Sequence, residues 1–308
     1  MNEFEIKEIL KEQKDFLEQL GTKEKFWFND NGIKKLFKIG RENTGEDWVE
    51  VVVSEICYLL DIPHAKYEFA CYQGKQGTIT TNIVPQGGRL VHGNELLAKV
   101  YKKIDVDYEE NIFYKVRKHN LQVISLLLSH DSLEIKPAFD TERFENLNTA
   151  FDMFIGYVVL DCLISNQDRH HENWAIIVYD KVIFLSPTYD HASGLGSKEN
   201  DNRKYERLLT KDNNFTIEAF VNKAKTAFYD KGKVLKTIDA VKLCAKENKD
   251  STMYWLNKID NLRIQDVLDI FRKIPKELIS EISIEFAIKM LEINKKRLMQ
   301  LKKELEDE

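Results

Sequence analysis

A nearly unbroken apolar stretch at residues 146–164 places the tightest constraint on how this chain can fold. Its apolar side chains cover every side of a helix rather than one stripe, so such a helix must be enclosed by protein. The most apolar part, residues 153–164, is about twelve residues long and contains Asp161, whereas a membrane span needs roughly 20 apolar residues. We therefore predict a buried central helix and no membrane span.

Composition and charge exclude several other classes of protein. The 308 residues include only 13 glycines and 5 prolines, which excludes collagen-like chains and disordered chains rich in these residues. The net charge of −5 does not give the basic surface typical of proteins that bind nucleic acid directly. Four widely spaced cysteines and the lack of a secretion signal predict reduced thiols in the cytoplasm. We expect a cytoplasmic globular protein with no nucleic-acid or membrane partner.

The chain changes character near residue 85. Before this point, short runs of aromatic and β-branched residues alternate with Gly and Asn turns, which predicts an antiparallel sheet. After it, apolar residues mostly recur at helical spacing. The predicted fold is α+β and bilobal, with a small antiparallel β-rich N-lobe at residues 1–85 and a larger, mostly helical C-lobe at residues 86–308. The predicted strands are residues 25–28, 34–39, 67–72 and 77–83, and the predicted helices are residues 46–61, 121–129, 146–164 and 286–305.

A predicted hairpin interrupts the helical part of the chain. Two strand-like runs, residues 174–179 and 182–185, are separated by Asp180-Lys181. A two-residue turn here would make Ile176 face Leu185 and, further along the ladder, His171 face Asp190. Asp190 would then lie within about two residue positions of Asn173. The polar stretch that follows, residues 197–207, is expected to be mobile.

The densest set of chemically useful residues lies in the loop before this hairpin and in the segment after it. Asp168 and Asn173 are five residues apart on a loop held between a buried helix and a strand. Phosphoryl transfer needs a carboxylate that receives the proton of the acceptor hydroxyl, and oxygen ligands that hold Mg²⁺ against the phosphates. Asp168 matches the first requirement, and Asn173 with Asp190 matches the second.

Simpler interpretations of these residues remain open. Taken alone, Asp168 would fit as the cap of a turn, but a chance grouping of Asp168, Asn173 and Asp190 is disfavoured because the loop, the hairpin and the metal geometry agree. Three of the seven histidines, His170, His171 and His191, lie close in sequence and suggest a zinc site, but no HExxH motif or cysteine partner accompanies them. Structural or loop-orienting roles are therefore favoured for these histidines.

The pattern Asn-x-Asp168-Arg-His-x-x-Asn173, followed by a hairpin and Leu-Ser-Pro-x-Tyr-Asp190, resembles the catalytic and metal-binding loops of HipA-like serine/threonine kinases. These bacterial kinases are distantly related to phosphatidylinositol kinases. The resemblance implies a bilobal protein-kinase-like fold and transfer of phosphate from ATP to a protein hydroxyl. Weaker matches extend it over most of the chain: Leu36-Phe-Lys38-Ile39, residues 45–50 with Leu60-Asp-Ile-Pro63, Gly87-x-x-Leu-x-x-Gly93-x-x-Leu-Leu97, and Ile274-Pro275 with residues 286–298.

The resemblance also implies roles for individual residues. Asp168 would be the catalytic base, and Asn173 and Asp190 would be the Mg²⁺ ligands that complete the catalytic set. Lys38 would contact the α- and β-phosphates of ATP, although a solvated lysine on a strand is an equal alternative. Glu50 would orient Lys38. The helical wheel alone allows Glu46 or Glu55 as well, and only the register counted back from residues 60–62 selects Glu50.

The segment that would cover the phosphates departs from the usual kinase pattern. No GxGxxG loop precedes Lys38, and the nearest candidate is Gly21-Thr22-Lys23-Glu24-Lys25, for which an ordinary turn is an equal alternative. Some HipA-like kinases autophosphorylate in this loop, which makes Thr22 a candidate regulatory site. The predicted nucleotide-binding set is completed by Asn82, Ile83 and His170.

The leading hypothesis is an ATP- and Mg²⁺-dependent serine/threonine protein kinase that also phosphorylates itself. By resemblance it would be the toxin of a toxin–antitoxin pair or an effector kinase, with an antitoxin-like partner protein. The extra N-terminal domain of the long family members is missing, so the chain resembles the short, kinase-core forms. The alternatives are a small-molecule or lipid kinase, and a nucleotide-binding module that acts through a partner protein.

Overall fold

The computed structural model describes residues 2–17, 24–103, 106, 108, 116–137, 144 and 146–308. The strands, in chain order, are β1 (Ile6–Ile9), β2 (Lys14–Leu17), β3 (Lys25–Asp30), β4 (Ile33–Ile39), β5 (Tyr67–Tyr72), β6 (Lys75–Thr81), β7 (Arg89–His92), β8 (Ile135–Lys136), β9 (Ala175–Tyr179), β10 (Val182–Leu185), β11 (Lys225–Asp230) and β12 (Lys233–Lys236). The helices are α1 (Glu46–Leu59), α2 (Gly93–Lys103), α3 (Leu121–Leu128), α4 (Ala150–Ile164), α5 (Asp201–Leu209), α6 (Ile217–Lys223), α7 (Thr237–Glu247), α8 (Lys249–Asn261), α9 (Ile264–Phe271) and α10 (Glu281–Glu306).

A six-stranded sheet occupies the N-terminal part, with the strand order β1-β5-β6-β4-β3-β2. β1 runs parallel to β5, and the other neighbouring pairs are antiparallel. The four predicted strands are all present. β1 and β2 were not predicted, because they are short and each contains charged residues.

The two faces of this sheet contribute to different cores. One face buries a small aromatic cluster that includes Phe26, Phe37 and Tyr72. On the other face, Tyr67 and Phe69 of β5 belong to the large core that also contains α1. Because successive side chains of a strand alternate between faces, Lys38 next to Phe37 lies on the α1 side of the sheet.

The predicted buried central helix is confirmed as α4. All 15 of its residues are buried, and the helix packs against α7, α8 and α10. It begins with a capping box, in which the hydroxyl of Thr149 accepts from the backbone N–H of Asp152 at 3.2 Å while the Asp152 carboxylate accepts from the N–H of Thr149 at 2.8 Å. The rigid end of α4 leads directly into the loop that carries Asp168.

The predicted hairpin is confirmed as β9 and β10, within a four-stranded sheet of order β7-β9-β10-β8. Ile176 pairs with Leu185, as a two-residue turn requires. The predicted continuation of this ladder to His171 and Asp190 is wrong. After Leu185 the chain turns toward the end of α1. There the N–H of Thr188 donates to the Pro63 carbonyl, and the Thr188 carbonyl accepts from the N–H of Ala65, both at 2.9 Å.

Two other segments differ from expectation. The segment that follows residue 88 was expected to be mostly helical, yet residues 89–92 form β7 and pair with β9. The polar stretch 197–207, expected to be mobile, contains α5 from Asp201 onward, and the Asn200 side chain caps this helix.

β11 and β12 form a separate two-stranded sheet. None of the helices in the described part of the chain has the length and apolar character needed to cross a bilayer.

Candidate functional site

Lys38 lies at the meeting point of three elements that are far apart in sequence. Its Nζ is 3.4 Å from Asp190 Oδ1 and 3.6 Å from Glu50 Oε1, and it donates to Tyr67 Oη at 3.4 Å. These partners come from the segment after β10, from α1 and from β5. The structure therefore brings together three residues of the predicted site, Lys38, Glu50 and Asp190.

The surroundings of Lys38 favour its charged form. Burial acts to lower the pKa of Lys38, but the nearby Asp190, Tyr67 and Glu50 outweigh it and hold this pKa well above its ordinary value. Burial also raises the pKa of Tyr67, so its hydroxyl stays neutral and its oxygen can accept from Lys38. Lys38 therefore carries a fixed positive charge on the α1 side of the sheet. This charge is a suitable partner for an anionic ligand.

Glu50 connects Lys38 to the segment that follows Asp190. Its Oε1 faces Lys38, and its Oε2 accepts from the backbone N–H of His191 at 2.9 Å. Glu46, which the helical wheel also allowed, pairs instead with Arg41 at 2.9 Å. The register counted from the end of the helix thus selected the glutamate that contacts Lys38.

Asp168 and Asn173 are held together by the loop between α4 and β9. The Asn173 side-chain Nδ2 donates to the Asp168 carbonyl at 2.6 Å, and the backbone N–H of Asn173 donates to the His170 carbonyl at 2.9 Å. The N–H of Asp168 donates to Asn166 Oδ1 at 3.2 Å. Because the side-chain nitrogen of Asn173 is engaged by the Asp168 carbonyl, the side-chain oxygen of Asn173 is the atom that can accept a hydrogen bond from a ligand or coordinate a cation.

Asp190 offers the second oxygen group. It adopts a left-handed backbone conformation with φ of 59°, and its N–H donates to Tyr67 Oη at 3.3 Å. Its side chain is 36% exposed, whereas that of Glu50 is only 2% exposed. Carboxylate and amide oxygens are the ligands that a hard cation such as Mg²⁺ prefers, so Asp190 and Asn173 have the right chemistry to hold one.

A buried ion pair beneath the loop was missed by the sequence reasoning. Arg169 donates from Nε and Nη2 to the two carboxylate oxygens of Asp161, each at 2.7 Å, and both side chains are buried. Arg169 also donates to the Asn173 carbonyl at 2.9 Å. Asp161 within the apolar stretch 153–164 was the signal in the sequence, because buried charges are generally paired or hydrogen-bonded.

The three neighbouring histidines have separate environments. His170 accepts from the Glu172 N–H at 3.2 Å, and burial lowers its pKa although Asp168 and Asp190 act in the opposite sense.

His171 bonds with Tyr108 at 2.7 Å and His191 with Thr188 at 2.9 Å. Burial and the nearby Arg169 hold the pKa of His191 well below its ordinary value. In the part of the chain that the structure describes, no group of three or more His, Cys, Asp or Glu residues is arranged to hold a metal ion.

The structure describes only some of the remaining predicted nucleotide-binding residues. Gly21, Thr22 and Lys23 lie outside the described residues. Asn82 accepts from the N–H of Val84 at 3.1 Å, and Ile83 packs against the large core. The Asn82 side chain thus bonds within the connection between β6 and β7, and the backbone N–H of Asn82 donates to the Lys34 carbonyl of β4 at 3.0 Å.

Comparison with known proteins gives matches at the level of structure. No model of a protein family matches the chain, and no curated protein matches it. Among solved structures, the Helicobacter pylori proinflammatory kinase CtkA is 18% identical, with a TM-score of 0.71, over 93% of this chain and 97% of that one. HipA of the Shewanella oneidensis MR-1 toxin–antitoxin system, in complex with HipB and operator DNA, is 11% identical, with a TM-score of 0.57.

These two matches differ in how much of the neighbour they include. The match to HipA covers 92% of this chain but only 65% of that chain, so this chain spans about two thirds of its length. At such identities the likeness shows the fold and leaves the activity to be tested. The predicted α+β, protein-kinase-like fold is confirmed, and the chain has the kinase-core fold of the HipA kind.

Proposed function

We propose that this chain is an ATP- and Mg²⁺-dependent serine/threonine protein kinase. The observation that carries the proposal is the position of Lys38, whose Nζ lies between Glu50 Oε1 and Asp190 Oδ1 in a chain with a kinase-core fold. A buried lysine oriented by a carboxylate on a helix is suited to bind the phosphates of a nucleotide. A solvated strand lysine, the alternative from the sequence, would not be buried between two carboxylates.

We propose roles for the other residues of the predicted site as well. Asp168 would accept the proton of the acceptor hydroxyl, and the hydrogen bonds of its backbone with Asn173 and Asn166, which hold the loop, support this role. Mg²⁺, held by Asn173 and Asp190, would neutralise charge on the transferred phosphate. Positioning of this kind, rather than covalent chemistry, accounts for most of the rate of phosphoryl transfer.

The acceptor and the partner are the finer parts of the proposal. One structural neighbour is a proinflammatory kinase and the other is part of a toxin–antitoxin system with HipB, which supports a protein acceptor and an antitoxin-like protein partner. We further propose that the nucleotide binds between an N-lobe at residues 1–85 and a C-lobe at residues 86–308. Autophosphorylation belongs to the same proposal, with Thr22 as the candidate site.

The test is transfer of phosphate from ATP by the purified chain, with and without Mg²⁺, followed by intact-mass and phosphosite analysis. The wild-type chain should gain phosphate on serine or threonine only when Mg²⁺ is present. Asp168→Asn should slow transfer by about 10²- to 10⁴-fold, because the base is lost, while thermal-shift titration still detects ATP binding.

A matched control is available in the hairpin turn. Asp180 is exposed and has φ of 47°, a conformation that asparagine tolerates well, so Asp180→Asn makes the same chemical change outside the site. This variant should transfer phosphate at the wild-type rate. Undiminished transfer by Asp168→Asn would contradict the assignment of the base, and phosphate recovered only on added lipid or small molecules would contradict the protein acceptor.

A further inference from the structure

Two buried polar residues, Thr188 and His191, bridge the gap between the ion pair under the loop and Glu50. Thr188 is 2% exposed and His191 is 1% exposed. Arg169 Nη1 donates to Thr188 Oγ1 at 2.8 Å, and Thr188 Oγ1 lies 2.9 Å from His191 Nε2. The backbone N–H of His191 then donates to Glu50 Oε2 at 2.9 Å. A continuous series of polar contacts therefore runs from the helical part of the chain to Lys38.

The directions of these hydrogen bonds can be assigned from the chemistry of the groups. Arg169 has only donors, so Thr188 Oγ1 must accept from it. The hydroxyl hydrogen of Thr188 then needs an acceptor, and His191 Nε2 is the only one available to it among the described residues. If Nε2 carried a proton instead, the buried Thr188 hydroxyl would be left without an acceptor, which is costly. The ring proton of His191 is therefore on Nδ1.

This assignment gives the Nδ1–H of His191 a place in the site. Nδ1 is buried, has no hydrogen-bond partner among the described residues, and lies 4.0 Å from Glu50 Oε2. The backbone N–H of the same histidine already donates to that oxygen. These two nitrogens of His191 thus lie on the side of Oε2, and Oε1 of Glu50 lies 3.6 Å from Lys38 Nζ.

We propose that Thr188 and His191 are positioning residues, which hold Glu50, and through it Lys38, in the geometry that binds the nucleotide. Thr188 sets the tautomer of His191, and His191 fixes one oxygen of the Glu50 carboxylate. The link couples the loop that carries Asp168 and Asn173 to the sheet that carries Lys38. This inference rests on the proposed function for its effect on ATP, but the tautomer is a property of the folded chain alone.

The tautomer is tested without any assay of activity. Histidine labelled with ¹⁵N gives long-range ¹⁵N–¹H NMR spectra that distinguish Nδ1–H from Nε2–H, and the signals of His191 are assigned by their loss in His191→Asn. We expect the Nδ1–H pattern in the wild-type chain and in Thr188→Ser, which keeps the hydroxyl. An Nε2–H pattern in the wild-type chain would overturn the proposal.

The positioning role is tested by steady-state kinetics with ATP as the varied substrate. Thr188→Val removes the hydroxyl at nearly constant volume and should raise the KM for ATP about tenfold, with kcat at saturating ATP changed by less than about threefold. Thr188→Ser should restore the wild-type KM. Thr252 provides a matched control, because it is fully buried in α8 and its hydroxyl donates to the Asn248 carbonyl at 2.8 Å. Thr252→Val should leave the KM for ATP unchanged.

The outcomes separate this inference from the proposed function. A KM for Thr188→Val equal to that of Thr252→Val would overturn the positioning role. If the wild-type chain transfers no phosphate, the proposed function fails, and the NMR tautomer alone then decides the inference. If Thr188→Val does not fold, the wild-type tautomer and the KM of Thr188→Ser still decide it.

Discussion

Arg169 is enclosed by protein, so its charge depends on Asp161 for compensation. Burial acts to lower the pKa of Arg169, but Asp161 more than offsets this effect and the pKa is raised. Removing one partner of such a pair leaves the other charge buried and uncompensated. Arg169→Leu should therefore lower the free energy of unfolding by about 3–5 kcal/mol, measured by urea denaturation.

An exposed ion pair provides the control for this prediction. Arg263 is 76% exposed and pairs with Asp266 on the surface, three residues along the chain. Because water already solvates both charges, Arg263→Leu should change the free energy of unfolding far less than Arg169→Leu does. Equal effects of the two substitutions would contradict a structural role for the buried pair.

At the scale of single residues, the sequence indicated the candidate site residues more clearly than the residues that contact them. Asp168, Asn173 and Asp190 belong to a local pattern, and Lys38 lies on a strand that the sequence predicted. Tyr67 carries no such signal, yet its hydroxyl contacts both Lys38 and the backbone of Asp190. Contacts between residues this far apart in sequence depend on how the elements pack, which spacing along the chain does not specify.

Two-residue hairpin turns are a shared feature of the sheets. In the part of the chain that the structure describes, four of them have positive φ at both central residues, which is the backbone geometry of a type I′ turn. Three have glycine at the second position, and the exception is Lys181 in the turn between β9 and β10. These turns are Asn31-Gly32, Gln73-Gly74, Asp180-Lys181 and Lys231-Gly232.

The Lys181 exception predicts that two substitutions, Lys181→Gly and Gly232→Lys, change the free energy of unfolding in opposite directions. Lys181 has φ of 64°, a conformation that costs a residue with a Cβ about 1–2 kcal/mol, so Lys181→Gly should raise the free energy of unfolding by about 0.5–1 kcal/mol. Gly232 has φ of 76°, and a Cβ there would meet no atom within 4 Å. Gly232→Lys should therefore lower the free energy by a similar amount. Urea denaturation of both variants checks the pair, and changes of the same sign would count against the backbone explanation.

Elements with strong patterns were predicted well, and short ones at sheet edges were not. The aromatic alternation of β3 and the all-apolar composition of α4 each predict their structure directly. β1 and β7 have four residues each, and two of the four in β1 are charged. Such segments become strands because a neighbouring strand offers its free edge, β5 for β1 and β9 for β7. The side chains of β1 and β7 do not themselves require a strand conformation.

At the scale of the whole molecule, α1 joins the sheet to the helices. Its residues Val49, Val52 and Ile56 belong to the same core as α4, and Trp48 packs against Phe271 of α9 with ring centroids 5.8 Å apart. The helix that carries Glu50 is therefore buried in the core of the helical part. The smaller aromatic core, which includes Phe28, lies on the opposite face of the sheet.

This shared core predicts that the described parts unfold together. The free energy that holds α1 in place comes from both the sheet and the helices, so loss of either should expose the other. Urea unfolding followed by tryptophan fluorescence and by far-UV circular dichroism should give coincident transitions. Two transitions with different midpoints would instead indicate lobes that fold separately.

Matched substitutions in the two cores sharpen this prediction. Phe28 and Phe271 are both at most 2% exposed, one in the small aromatic core and the other beside α1. Replacing either by alanine removes a buried ring and should lower the free energy of unfolding by about 3–5 kcal/mol. If the chain unfolds as one unit, each variant shifts the fluorescence and dichroism curves by the same amount. A Phe28→Ala variant that loses part of the signal early, while the helices keep the wild-type midpoint, would mean that α1 does not couple the sheet to the rest of the molecule.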